Sequence, residues 1–231
     1  KLSALAQQLA EQAQKLKEQE AALAQQQVDL DEKTQLISTQ QAKIDNIIGV
    51  KAEVVESLQQ EFAKNNLNVN IDSQTGALTL DASVLFAYDD AELTEEGKTA
   101  LRSVLPIYCK VLLEDSYKSY LAEIIIDGYT DTDGDYAYNL ELSQRRSLAV
   151  AQYLLEIQGE FLTSDQTIDL QDYLTVNGHS MANPILDADG NVDKDASRRV
   201  EVKFRLKDDE MIDELSSIMT TDQASSDNAQ E

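Results

Sequence analysis

The sequence predicts an α+β fold preceded by a long N-terminal helical stalk. Three observations predict it. Residues 1–48 hold neither Gly nor Pro and place Leu2, Leu9, Leu16, Leu23, Leu30, Ile37 and Ile44 at every seventh position. Beyond them, short runs of alternating apolar residues bounded by turn residues read as strands. Between those runs lie segments whose apolar residues recur at helical spacing.

The stalk comes first. Its second seam, four residues on from the first, reads Ala6, Ala13, Glu20, Gln27, Thr34, Gln41 and Ile48. One apolar and one polar seam predict a weak or partner-dependent coiled coil acting as a stalk or spacer, with a lone, partly frayed helix as the alternative. At 1.5 Å per residue such a helix reaches roughly 70 Å. Gly49 is expected to punctuate it. Val50, Val54, Val55, Leu58 and Phe62 then mark a connecting amphipathic helix over 49–66.

Leu67, Val69 and Ile71 alternate, "DSQTG" turns, and Leu78 and Leu80 alternate back, which predicts a β-hairpin. "SVLFAYDDAEL" reads as a strand end and loop. Thr94 followed by Glu95 and Glu96 opens a helix, with a capping hydroxyl and then acids at the positive end of the dipole. Pro106 is expected to kink that helix or end its regular part. Ile124 to Gly128 is a short strand and "TDTDGD" its exit turn. A helix is expected from Asn139 to about Gln158, a strand near Tyr173 to Val176, a polar loop through "NPILDADGNVDKDAS", and a last strand through Val200, Val202, Phe204 and Leu206. An amphipathic stretch near Met211 to Met219 and a disordered acidic tail follow. The expected domains are therefore 1–48, 49–66, 67–207 and 208–231.

Composition excludes several classes of function. A formal charge of −24 repels nucleic acid, and no polybasic stretch offers itself to anionic lipid. The one cysteine, Cys109, rules out an intrachain disulfide and a multi-cysteine zinc site, and its apolar surroundings predict a buried small residue. His179 is the only histidine, too little for a His-based metal centre or a serine-type triad. "DTDGD" and "DADGNVD" place Gly fourth and lack the closing Glu of a calcium loop. No cofactor, metal or catalytic residue is expected. No run of 18 apolar residues and no signal peptide is visible. The sequence opens inside a helical repeat without an initiator Met, so further sequence is expected upstream of Lys1.

The helix from Asn139 carries the functional signal. At 100° per residue, Leu142, Ala149, Val150, Tyr153, Leu154 and Ile157 form one apolar stripe. Arg146 falls near its centre and Asn139 points the same way, whereas Arg145 lies about 100° off, towards solvent. A buried-side arginine cannot shed its charge and needs an anion. That anion is either a nearby protein carboxylate or a ligand carboxylate. Asp131 leaves the preceding strand at a loop. Asp and Arg converging on one pocket suit a zwitterion, with Asp taking the ammonium and Arg the carboxylate.

The stretch "IDGYTDTDGDYAYNLELSQRRSLAVAQYL" resembles the core signature of OmpA-like and MotB-like peptidoglycan-binding domains. "SVLFAYDDAELTEEGKTAL", "VNGHSMANPI" and "SRRVEVKF" resemble three further family segments in order, so the likeness spans about residues 80–206. The resemblance implies an OmpA-like sandwich and non-covalent binding of the peptidoglycan stem peptide, chiefly its diaminopimelate. It places Asp131 and Arg146 on the family's ligand-binding positions, with Asn139, Leu142 and Thr130 beside them. One of Arg198 and Arg199 is implied to support the pocket. Tyr129 stands where many members have His, and Ser197 where Asn is typical. The implied setting is periplasmic: a homodimer of the MotB-like subunit of an ion-driven motor, as in flagellar stators and Zorya-type defence systems, with a membrane partner subunit. An OmpA-type outer-membrane tether and a coiled-coil scaffold without wall binding are the alternatives.

Overall fold

A computed structural model describes residues 2–207, with side chains from Leu9. The expectations for 208–231, including the Met211 to Met219 stretch, lie outside the described residues. The chain divides between Asn46 and Ile47 into two compact units.

Helix α1 (Leu2–Lys64) supplies the whole of the first unit. Leu9, Leu16, Leu23, Leu30 and Ile37 lie on it 57–67% exposed. Amide-to-carboxylate bonds one turn apart support it: Gln14 to Glu18, Gln25 to Asp29, Gln27 to Asp31 and Gln41 to Asp45. Each such pair contributes about 0.2–0.5 kcal/mol.

Gly49 does not end the helix. Val50, Val54, Val55, Leu58 and Phe62 on its C-terminal side are all buried in the core of the second unit. Their burial outweighs the roughly 1 kcal/mol that Gly costs relative to Ala in a helix. Residues 49–66 are thus α1 and its exit, packed into the core, and not a separate connector. A Cβ at Gly49 meets nothing within 4 Å. Gly49→Ala should therefore raise the unfolding free energy by about 1 kcal/mol, read as a higher denaturant midpoint.

Among the described residues the second unit holds a five-stranded mixed sheet. Its strands are β1 (Asn70–Ile71), β2 (Leu78–Asp81), β3 (Leu121–Gly128), β4 (Leu174–Gly178) and β5 (Arg199–Leu206), in spatial order β1-β2-β5-β3-β4. Only β3 and β4 pair in parallel. Ile124, Ile126, Val200, Val202, Phe204 and Leu206 join the core beneath α3 (Glu95–Leu112) and α4 (Tyr136–Ile157). The alternate residues carry charge pairs on the other face, such as Glu123 with Arg205 at 3.1 Å and Asp127 with Lys203 at 2.5 Å.

Three expectations change. Ala82–Leu85 forms a single helical turn, α2, instead of continuing as strand or loop. The reason is Asp81, whose carboxylate accepts from the Ser83 N–H at 2.7 Å and caps the turn. Pro106 does not end α3, which runs on to Leu112. Leu101, Val104 and Leu105 before it and Tyr108, Cys109, Val111 and Leu112 after it are buried. Their burial, at roughly 1.5–3 kcal/mol per large side chain, exceeds the ~3 kcal/mol cost of an interior proline. A helix not read from the sequence, α5 (Ser164–Tyr173), starts at a reciprocal cap between Thr163 and Gln166. Cys109 is fully buried as expected, and burial pushes its thiol up to about 12. No helix among the described residues is long and apolar enough to cross a membrane.

Candidate functional site

The site is built where α4 crosses the C-terminal ends of β3 and β4. Gly128 and Gly178 sit opposite each other in the parallel ladder. A Cβ on Gly128 would lie 2.2 Å from the Ser143 carbonyl oxygen, and one on Gly178 would lie 2.5 Å from the Gln144 nitrogen. The missing side chains let the α4 backbone rest directly on the strand ends. Ser143 Oγ fastens the contact by accepting the Ser180 N–H at 3.0 Å.

From Gly128 the chain turns under α4. The Tyr129 N–H reaches the Arg199 carbonyl at 2.9 Å, and the Thr130 N–H reaches the Ser180 carbonyl at 2.8 Å. Asp135 caps α4 by accepting from the N–H groups of Ala137 and Tyr138. Asn139, 5% exposed, donates to the Asp133 carbonyl at 2.6 Å and so ties the turn to the helix.

A cleft of about 500 Å³ opens between this turn, α4 and the loop after α2. Thr130, Asp131, Asn139, Leu142, Arg146 and Arg198 all line it, which brings six of the seven residues singled out in the sequence to one place. Arg199 does not line it. Its guanidinium, 6% exposed, bonds Glu201 at 2.6 Å, lies 4.0 Å over the Tyr129 ring and reaches the Asn183 and Ser197 carbonyls. The paired arginines therefore divide, with Arg198 at the cleft and Arg199 bracing the loop behind it.

Arg146 is the distinctive group. It is 5% exposed and lies 5.3 Å from the Phe86 ring centroid, while Arg145 is exposed as the helical spacing predicts. Its Nε donates to the Asp90 carbonyl at 2.8 Å. Its two terminal amines have no protein acceptor among the described residues, and no carboxylate forms an ion pair with it. Burial draws its pKa down, aided by Arg198, while Asp89, Asp131 and Asp90 oppose the shift. Arginine still keeps its charge.

The two charges that the sequence brought together do not pair with each other. Asp131 is held by Arg198 at 2.5 Å and accepts from the Asp133 N–H at 3.0 Å. Arg198 also contacts Asp195, and Lys194 bonds Asp133 at 2.8 Å, so both basic residues lace the acidic loop to the turn. A second tie missed by sequence reasoning runs from the Tyr138 hydroxyl to Asp89 at 2.7 Å. The only hint of it was the aromatic and acidic cluster in "FAYDD". Chemically, the cleft presents unengaged arginine donors for a carboxylate and, beside them, a carboxylate shared with a second arginine.

Asp127 lies behind the site, 1% exposed. Burial raises its pKa, but Lys203, Asn177 at 2.9 Å and the His179 ring at 3.1 Å outweigh it and hold the carboxyl below its usual value. A carboxyl with a depressed folded pKa adds stability above the unfolded pKa and loses it as pH falls through the folded value. The thermal midpoint should accordingly fall below about pH 4, and Asp127→Asn should make that fall shallower in a pH series of melting curves.

A small mixed sheet with a charged cleft at the β3 exit defines the class, and the comparisons place the chain within it. Residues 85–198 match the OmpA family, so that part of the chain is an OmpA domain. Among curated proteins it is 36% identical over 162 residues to the Zorya protein ZorB of Escherichia coli strain Crooks, covering 65% of this chain and 67% of that protein. It is 29% identical over 163 residues to the ZorB of Escherichia coli O139:H28, covering 68% and 64%. The chain thus spans about two thirds of the length of these relatives. Among solved structures, a MotB-like protein from Desulfovibrio vulgaris shares the fold with a TM-score of 0.50 and 20% identity, over 70% of this chain and 94% of that one.

Proposed function

We propose that this domain binds the peptidoglycan stem peptide without catalysis, holding the free amino-acid end of diaminopimelate. By doing so it anchors a membrane complex to the cell wall from the periplasmic side. The observation that carries the reading is Arg146, a buried guanidinium whose fork faces the cleft without a protein acceptor. A ligand carboxylate completes it with two parallel charge-assisted bonds. The ligand ammonium goes to Asp131 and shares that carboxylate with Arg198 or displaces it. The OmpA domain and likeness to the ZorB proteins support the wall as the source of the ligand and a MotB-like motor subunit as the setting. The membrane attachment and the motor partner subunit then lie outside these 231 residues.

The test is co-sedimentation of the chain with purified peptidoglycan, in parallel with diaminopimelate-type and lysine-type walls. Selective pelleting with the first is expected. Equal pelleting with both would remove diaminopimelate from the reading, and pelleting with neither would remove the wall.

The same reading makes the protein a homodimer. Five seam residues stand 57–67% exposed at heptad spacing, a pattern that a second copy of the helix buries. Leu16→Asp with Leu23→Asp should convert a dimer to a monomer in sedimentation velocity. A wild-type chain that is monomeric at the same concentration would defeat this part of the proposal.

A further inference from the structure

The two edges of the sheet are finished differently. At one edge stands β1, a two-residue strand, and a short edge strand is a common protection against unwanted pairing. At the other stands β4, which pairs in regular register with β3 from Leu174 to Gly178. It carries no charge, no proline and no bulge, so it lacks the usual guards. The His179 N–H goes inward to the Gly128 carbonyl at 2.9 Å. By the alternation of a ladder, the amides of Thr175 and Asn177 face β3 too, and those of Val176 and Gly178 face out. These two amides have no protein acceptor among the described residues.

Beside that edge runs an apolar flank. The Gln144 backbone rests on Gly178. Leu140 and Leu148 lie one turn to either side of Gln144, 39% and 43% exposed. No charged residue falls on this stripe of α4. Leu142 and Arg146, which line the cleft, lie on the opposite flank of the helix. An open strand edge and a bare helix flank thus stand side by side, away from the cleft.

We infer that β4 and the Leu140–Leu148 flank form a two-fold interface with a second copy of this chain, β4 pairing antiparallel with its mate about Val176. The inference rests on the homodimer reading above but uses a different surface from the stalk seam. A second copy is the occupant that fits both layers. Under the two-fold, Val176 faces itself, Leu174 faces Gly178 and Thr175 faces Asn177. No like charges meet, and outward amides meet outward carbonyls. The α4 backbone rests on Gly128 of β3 as well as on Gly178 of β4, so the helix stands about midway between two strands roughly 4.8 Å apart. Its axis is then about 5 Å from the two-fold, and the two copies of α4 lie about 10 Å apart, the distance at which helices pack. A lone strand from another protein would pair the edge but leave Leu140 and Leu148 bare. The pairing leaves both clefts open, so one dimer offers two grips to the wall.

The test is disulfide trapping in the full chain under mild oxidation, run beside sedimentation velocity of the unmodified chain. Two Val176→Cys chains place their Cα atoms about 5.5 Å apart across the two-fold, within the roughly 4.4–6.8 Å that a disulfide spans. Covalent dimer is expected from Val176→Cys and not from Asn70→Cys on the opposite edge. Cys109 is fully buried and does not compete. Adding Leu148→Asp to Val176→Cys should abolish the product, and undiminished product would overturn the shared helix flank. A chain that sediments as a dimer but gives no Val176→Cys product overturns the edge pairing and leaves the stalk seam intact. Equal product from both cysteine positions does the same. A chain that is monomeric in sedimentation overturns both. Should Val176→Cys fail to fold by circular dichroism, amide exchange in the unmodified chain decides. Slow exchange at Val176 and Gly178 supports the interface, and unprotected exchange at both overturns it.

Discussion

Arg146→Ala is expected to weaken peptidoglycan binding by about a hundredfold. A carboxylate held by a guanidinium fork loses two charge-assisted hydrogen bonds, each contributing about 1.5 kcal/mol or more, and every 1.4 kcal/mol is a factor of ten. No neighbour substitutes for it. Arg198 is committed to Asp131 and Asp195, Lys194 to Asp133, and Arg199 to Glu201 and the Tyr129 ring. Arg146→Lys should recover only part of the loss, because a lysine carries the charge but neither the planar fork nor the Nε that reaches the Asp90 carbonyl. Arg145→Ala is the control: one residue away, the same charge removed, the side chain in solvent. Pelleting assays with the three variants separate the roles. Equal losses in Arg145→Ala and Arg146→Ala would mean that net charge, not the buried fork, governs binding. Because the Arg146 bond to Asp90 also steadies the loop, each variant needs its melting curve alongside its binding curve.

The choice between the two arginines was legible because it is local. A period of about 3.6 residues on one helix puts position 146 among apolar residues and position 145 outside them, and the exposures follow. The strand alternations were legible for the same reason, since one buried face imposes a period of two. What the sequence hid is pairing at a distance. Asp131 meets Arg198 across 67 positions and Tyr138 meets Asp89 across 49, and no spacing rule links such residues before the sheet brings them together. Gly49 misled because helix propensity is a weak preference, overridden by five buried side chains beyond it. The α5 start was written in the sequence as Thr163 and Gln166, but only one residue of that helix, Leu170, is buried, so no apolar stripe drew attention to it.

The placement of Arg146 depends in turn on two residues that have no side chain. Gly128→Ala is expected to destabilise the second unit by about 3 kcal/mol or more. The new methyl would stand 2.2 Å from the Ser143 carbonyl oxygen and 3.0 Å from its carbon. Those are backbone atoms in the middle of a 22-residue helix, so no rotamer change relieves the clash and the helix itself has to lift. Lifting it strains the Ser180 N–H to Ser143 bond and carries Asn139 and Arg146, one turn to either side, away from the turn at Asp131. The variant should therefore lose midpoint in urea and lose wall binding beyond what its unfolded fraction explains. Gly159→Ala is the matched comparison, since a Cβ there meets nothing within 4 Å, and it should leave both nearly unchanged. A Gly128→Ala protein that keeps its wild-type midpoint would show that α4 does not rest on the strand ends, and the cleft geometry built on that contact would fall with it.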